Sequence, residues 1–152
     1  MFVRISQVPL GALALGLAGV LPFASCVILS LIADPFWENG IRNVAFTYSL
    51  TILSFMAGCI WAFAAPHNDI QGLALSTVPA LLGWLSYHLV PLRILNPEQV
   101  FYTLAVLFVL LLTLDFRATR LGQTPAWWIS LRLLLTSLVT PCLLILAGLM
   151  ST

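Results

Sequence analysis

Residues 97–114 read PEQVFYTLAVLFVLLLTL, and after Glu98 no charged side chain interrupts the run until Asp115. A helix rises about 1.5 Å per residue, so crossing a hydrocarbon core about 30 Å thick takes roughly 20 apolar residues. This stretch is long enough if its polar first turn sits at the headgroups. Four other stretches share its character, at about 9–32, 43–65, 70–92 and 125–150. The five runs predict an all-α membrane protein, a bundle of about five transmembrane helices joined by short loops. Residues 1–152 form one integral membrane domain on this reading. Short loops make sequence neighbours antiparallel neighbours in space, and an odd helix count puts the termini on opposite sides.

Composition agrees. Hydrophobic residues make up 61% of the 152 and charged residues 7%, against roughly 25% charged in a soluble domain. The mean hydropathy is +1.08. A soluble chain of this size cannot hide so much apolar surface. A disordered chain and a nucleic-acid binder are excluded with it, and a net charge of +1 selects no electrostatic partner. The partner that composition does imply is the lipid bilayer. All six basic residues are Arg, a feature without a physical explanation in this sequence. Cys26, Cys59 and Cys142 lie in apolar runs and read as small buried fillers. MFVR and the tetrapeptide Phe23-Ala24-Ser25-Cys26 have the outline of a lipoprotein signal. The apolar run continues past Cys26, however, so the segment is expected to stay as a span.

Boundary signals are specific. Asn96-Pro97-Glu98-Gln99 reads as an N-cap, an N1 proline and a capping-box Gln. Thr124-Pro125 is expected to start the fifth helix in the same way. Asp34-Pro35 predicts an interfacial turn with Phe36 and Trp37 among the headgroups, and Asn68 or Asp69 can cap the third helix. Pro22 and Pro79 fall in mid-span and predict kinks. Arg4, Arg117, Arg120 and Arg132 on one side outnumber Arg42 and Arg93 on the other, which predicts a cytoplasmic N-terminus.

Small residues mark close helix contacts. They recur as Ala12 and Gly16, Ala14 and Ala18, then Ser54, Gly58 and Ala62, then Gly72, Ser76, Ala80 and Gly83. The expectation is that the first three helices form the tight centre and the fourth faces lipid. Three stripes carry polar or aromatic groups at helical spacing. They are Tyr48, Thr51, Ser54 or Phe55, Gly58 and Trp61; Thr77, Ala80, Trp84 and His88; and Arg132, Thr136 and Thr140. One reading is a partly polar pocket, with Tyr48, Thr51, Trp61, Trp84 and His88 in its lining. The other is interhelical adhesion, with hydroxyls bonded back to carbonyls one turn earlier.

Charges near lipid are costly and therefore informative. Asp115 is placed at the end of the fourth helix and Arg132 about two turns into the fifth, so each opposes its own helix dipole. They are the candidate ion pair across this hairpin. Arg117 and Arg120 are close enough to share Asp115, or to meet a lipid phosphate. His67 and Asp69 read as loop polarity and helix capping, because a metal needs at least three convergent ligands. No phosphate loop, HExxH, GxSxG or paired intramembrane carboxylate is present. His67 and His88 lie about 32 Å apart along a helix, too far to share a heme. No catalytic residue, metal or cofactor is expected.

PLGALALGLAGVLPF at 9–23, Tyr48 followed by ILSFMAGCIWAFA, STVPALLGWL at 76–85, and Asp115 followed by WWISLRLLLTSLV together resemble the family called domain of unknown function 3429, the transmembrane protein 69-like family. The likeness covers nearly the whole chain. The family pattern around Trp61 is richer in Gly and His, where this chain has Ala57, Cys59, Ile60 and Ala62. The resemblance implies a small multi-spanning protein of bacterial inner membranes or mitochondria, and no activity. The expected function is a non-enzymatic accessory or structural component of an energy-transducing bacterial inner membrane, in contact with other membrane proteins. The alternative is a binder or carrier of a lipid or quinone-like molecule within the bundle. An enzyme acting on a membrane substrate has no supporting constellation.

Overall fold

A computed structural model describes residues 7–150, so Arg4 lies outside the described residues. Six helices follow one another: α1 (Leu10–Ala18), α2 (Leu21–Ile32), α3 (Glu38–Ala64), α4 (Ile70–His88), α5 (Pro97–Arg120) and α6 (Trp128–Met150). The first two are halves of one rod, broken where Pro22 lacks the N–H that would serve the Ala18 carbonyl. Val20 N instead bonds Leu17 O at 3.0 Å. Tyr48 Oη crosses from α3 to donate to the Gly19 carbonyl at 2.8 Å. Among the described residues, four segments are long and apolar enough to span a bilayer: Leu10–Ile32, Pro35–His67, Pro97–Arg120 and Trp128–Leu149. The remaining rod, α4, has 19 residues and packs between α3 and α5; it runs on through Pro79.

Local chemistry sets the ends. Asp34 Oδ1 accepts from Phe36 N at 2.8 Å, capping the turn Pro35–Trp37, which feeds directly into α3. That helix consequently begins at Glu38 rather than near residue 43. α4 stops at His88 instead of running to residue 92, because the residue before Pro91 disfavours helical backbone. Gln99 Oε1 accepts from Asn96 N at 2.8 Å, so α5 starts where the capping box places it. It continues to Arg120, past the apolar run that ended at 114. Gly122, at φ +69°, turns the chain, and Gln123 N closes back on Ala118 O at 3.0 Å. Thr124-Pro125 forms a turn, and α6 begins only at Trp128.

The core corrects one expectation. The uniformly apolar helix α5 lies at the centre, with Val100, Phe101, Leu104, Phe108 and Leu111 fully buried along one face. Phe101 stacks on Phe46 of α3 at 4.3 Å, and Phe108 meets Phe23 of α2 edge-on at 6.2 Å. Its opposite face is open to lipid, and Leu110 is half-exposed. By contrast, α1 has no buried residue. Lipid tails are as apolar as Leu, so hydrophobicity alone does not separate a lipid-facing surface from a packed one.

The small-residue stripes divide in the same way. On α4, Gly72, Ser76, Pro79, Gly83 and Ser86 form the buried face. A Cβ at Gly72 would stand 2.6 Å from Asp69 Oδ2, the cap of its own helix, and 2.9 Å from Ala64 Cβ of α3. On α3, Gly58 faces outward with nothing within 4 Å. Gly72→Ala is therefore expected to destabilise the bundle by about 1–3 kcal/mol through overpacking. Gly58→Ala is expected to be neutral or to stabilise, since Ala exceeds Gly in helix propensity by about 1 kcal/mol. Melting in mild detergent compares them, and equal shifts would refute the crowding of Gly72 by Asp69 and Ala64.

Candidate functional site

The α5–α6 hairpin carries two buried charged side chains, Asp115 and Arg132. Leu111, Asp115 and Ala118 share the buried face of α5, and Trp128 and Arg132 stand one turn apart on α6. Arg132 Nε donates to Asp115 Oδ2 at 2.8 Å, and Trp128 Nε1 donates to Oδ1 at 2.6 Å. The Asp115 and Arg132 side chains are 1% and 3% exposed. The ion pair read from the sequence is thus formed, although Asp115 does not end its helix. Five further residues follow it in α5, so burial rather than the helix terminus is what makes an unpaired Asp115 costly.

Arg132 is incompletely satisfied. Its Nη1 lies 2.8 Å from Met56 Sδ, a weak acceptor, and its Nη2 has no partner among the described residues. One and two turns further along α6, the Thr136 and Thr140 hydroxyls also lack partners. Other hydroxyls do bond back along their own helices: Ser49 to Ala45 O at 2.6 Å, Thr51 to Thr47 O at 2.8 Å, and Thr103 to Gln99 O at 2.8 Å. The adhesive reading of hydroxyls therefore holds on α3 and α5 and does not hold for Thr136 and Thr140.

Arg132 and Thr136 line an apolar cavity of about 260 Å³ between the α1–α2 rod, α3 and α6. Gly16, Phe23, Met56 and Cys59 line it as well. Leu15 and Phe55, at its edge, are 77% and 62% exposed, so the cavity opens sideways toward lipid. The pocket residues named from the sequence do not assemble around it. Tyr48 anchors the break in the α1–α2 rod. Thr51 faces outward with its hydroxyl bonded back, and Trp61 and Trp84 are about half exposed. His88 stacks on Trp84 at 4.4 Å and bonds its carbonyl through Nδ1 at 2.9 Å. The inward face of α3 is instead Ala45, Ser49, Leu53, Ala57 and Ile60.

A second polar cluster corrects the expectation for Arg117. That side chain turns away from Asp115 and grips Asp69 with two bonds, at 2.5 and 2.9 Å. Asp69 also accepts from Gly72 N at 3.0 Å, capping α4 as the sequence allows, and from Gln123 Nε2 at 3.2 Å. The Arg117 guanidinium, and after it the Gly72 amide, hold the Asp69 carboxyl well below the usual carboxylate range. With antiparallel spans at 43–65, 70–92 and 97–114, the loop holding His67 and Asp69 falls on the same membrane side as Arg117, and that was the cue in the sequence. Arg120 is exposed at the end of α5. Among the described residues no group of three His, Cys, Asp or Glu gathers as a metal would need.

These features define a multi-pass membrane protein with a polar cluster at an apolar cavity. The chain belongs to the family described as "Protein of unknown function (DUF3429)", whose pattern matches residues 8–148. It is 34% identical over 138 residues to a protein named "Transmembrane protein 69" from Xenopus tropicalis. That match covers 87% of this chain and 51% of the relative, so the chain spans about half of the relative's length. No solved structure matches it.

Asp115 and Arg132 can be tested as a unit. Asp115→Asn and Arg132→Gln should each cost about 3–5 kcal/mol, because each strands a buried charge. The double variant should cost clearly less than the sum. A double-mutant cycle read as melting temperature in detergent measures the coupling, and strict additivity would show that the two do not support each other.

Proposed function

We propose that this protein is a non-enzymatic binder of an amphiphilic lipid-like molecule held within the bundle. One observation carries the reading: the apolar cavity runs up to two buried side chains, Arg132 and Thr136, each keeping an unpartnered donor. Buried donors without partners are rare in proteins and call for explanation. The volume of about 260 Å³ lies well above the ~150 Å³ cavity that holds benzene and just below the ~300–1,000 Å³ of drug-sized sites. An acyl-like chain entering sideways past Leu15 and Phe55 would leave its distal end in the bilayer. The role of accessory component in an energy-transducing inner membrane rests on composition and kinship alone, so we rank it second.

Binding is tested by purifying the chain in mild detergent and identifying extracted lipids by mass spectrometry, beside a Cys59→Phe variant that fills the cavity. A stoichiometric amphiphile is expected with the unaltered chain and none with the variant, which should melt no lower. If the unaltered chain carries nothing above the detergent background, the binding reading fails.

We also propose that the N-terminus and the Arg117–Arg120 end face the cytoplasm of a bacterial inner membrane, supported by the Arg asymmetry. A single Cys at position 120, in a background lacking Cys26, Cys59 and Cys142, should resist an impermeant thiol reagent in intact cells. Labelling from outside would reverse the orientation.

A further inference from the structure

We infer that the polar end of the bound molecule is a neutral hydrogen-bond acceptor, a ketone, quinone or ester carbonyl, and is not an anion. This rests on the binding reading above and specifies its chemistry. Arg132 brings a positive charge to the cavity, which by itself would suggest a carboxylate or a phosphate. That charge is already matched: the Asp115 carboxylate sits on Nε at 2.8 Å, and both groups are almost wholly buried. The pair is neutral as a unit. An entering anion would give up its hydration and leave the site with a net negative charge in an apolar surrounding, where an uncompensated charge is expensive.

A neutral carbonyl meets no such penalty. It has two lone pairs, and the site keeps two unpartnered donors, Arg132 Nη2 and Thr136 Oγ1, one helical turn apart on α6. The protein itself leaves these donors free, since the Asp115 oxygens bond Arg132 Nε and Trp128 Nε1 and the Met56 thioether is a weak acceptor already approached by Nη1. The walls set the remainder of the ligand. Phe23, Met56, Leu131 and Val139 offer apolar contact, so the carbonyl must be attached to a hydrocarbon chain or ring system.

Cys59 lines the same cavity and supplies a local reporter. The experiment uses the full chain with Cys26→Ala and Cys142→Ala, in lipid nanodiscs, and follows the rate at which N-ethylmaleimide modifies Cys59. Three probes of equal chain length are compared at alkaline pH: methyl pentadecyl ketone, heptadecane and heptadecanoate. The ketone is expected to protect Cys59 at concentrations about tenfold lower than the alkane, since a hydrogen bond to a charged donor is worth about that factor. Heptadecanoate should protect no better than the alkane. Thr136→Val removes a hydroxyl with no protein partner, so it strands nothing and should leave the fold intact. It should weaken protection by the ketone about threefold and leave protection by the alkane unchanged. Protection by heptadecanoate equal to or better than that by the ketone overturns the inference while leaving lipid binding in place. So does equal protection by ketone and alkane. Protection by none of the three removes the binding reading itself.

Discussion

A guanidinium buried among leucines and phenylalanines is tolerable only when a counter-charge reaches it with good geometry, and this requirement fixes the middle of the molecule. Arg132 enters from α6 and Asp115 from α5, so the two helices have one permitted register, the one that brings Nε to Oδ2 at 2.8 Å. Trp128, one turn before Arg132, then reaches the other carboxylate oxygen. With the hairpin locked, the aromatic and aliphatic face of α5 is presented to α2, α3 and α6, and Phe23, Phe46 and Phe101 fill the space between them. A buried pair of this kind is weak evidence for net stability, because desolvation offsets much of the attraction. Its effect here is on register: any sliding of α5 against α6 would separate two buried charges.

How much of this was readable depends on which physical signal each feature leaves in the sequence. The helices, the capping box at Asn96 and the break at Pro22 come from local rules that act within a few residues. The Asp115–Arg132 pair was legible because a charge in an apolar run demands a partner and few were available. Helix ends drifted where two local signals disagreed. Hydropathy stops at Leu114, but the backbone continues helical to Arg120, because Asp115 and Arg117 find partners on other elements and need not unwind to reach water. The central position of α5 was not legible, since a row of leucines is equally suited to lipid and to protein.

The polar stripes show the same limit more sharply. Thr51 and Trp61 on α3, and Trp84 and His88 on α4, share helical spacing with Arg132 and Thr136 on α6, and spacing cannot say which side of a helix is inside. The decisive difference lies in the hydroxyls. Thr51 is bonded to the Thr47 carbonyl and has no unmet demand. Thr136 is buried and unbonded, a property that exists only once the helices are packed.

Leaving a buried donor unmet costs about 1–3 kcal/mol, and more for a charged group. A fold concerned only with stability would remove that cost by turning the Thr136 hydroxyl onto a carbonyl one turn earlier, as Ser49 and Thr103 do. The cost falls beside the cavity, and the cavity's outer wall is the least buried of the six helices. α1 buries none of its residues and is joined to α2 through a break whose free Gly19 carbonyl is held by Tyr48. A rigid polar end built on the α5–α6 hairpin therefore faces a wall with little packing to lose. Such a division suits a site that must hold one end of a molecule firmly and still admit it from the side, because the elements that set the donors' positions are not those that would yield to let a chain pass.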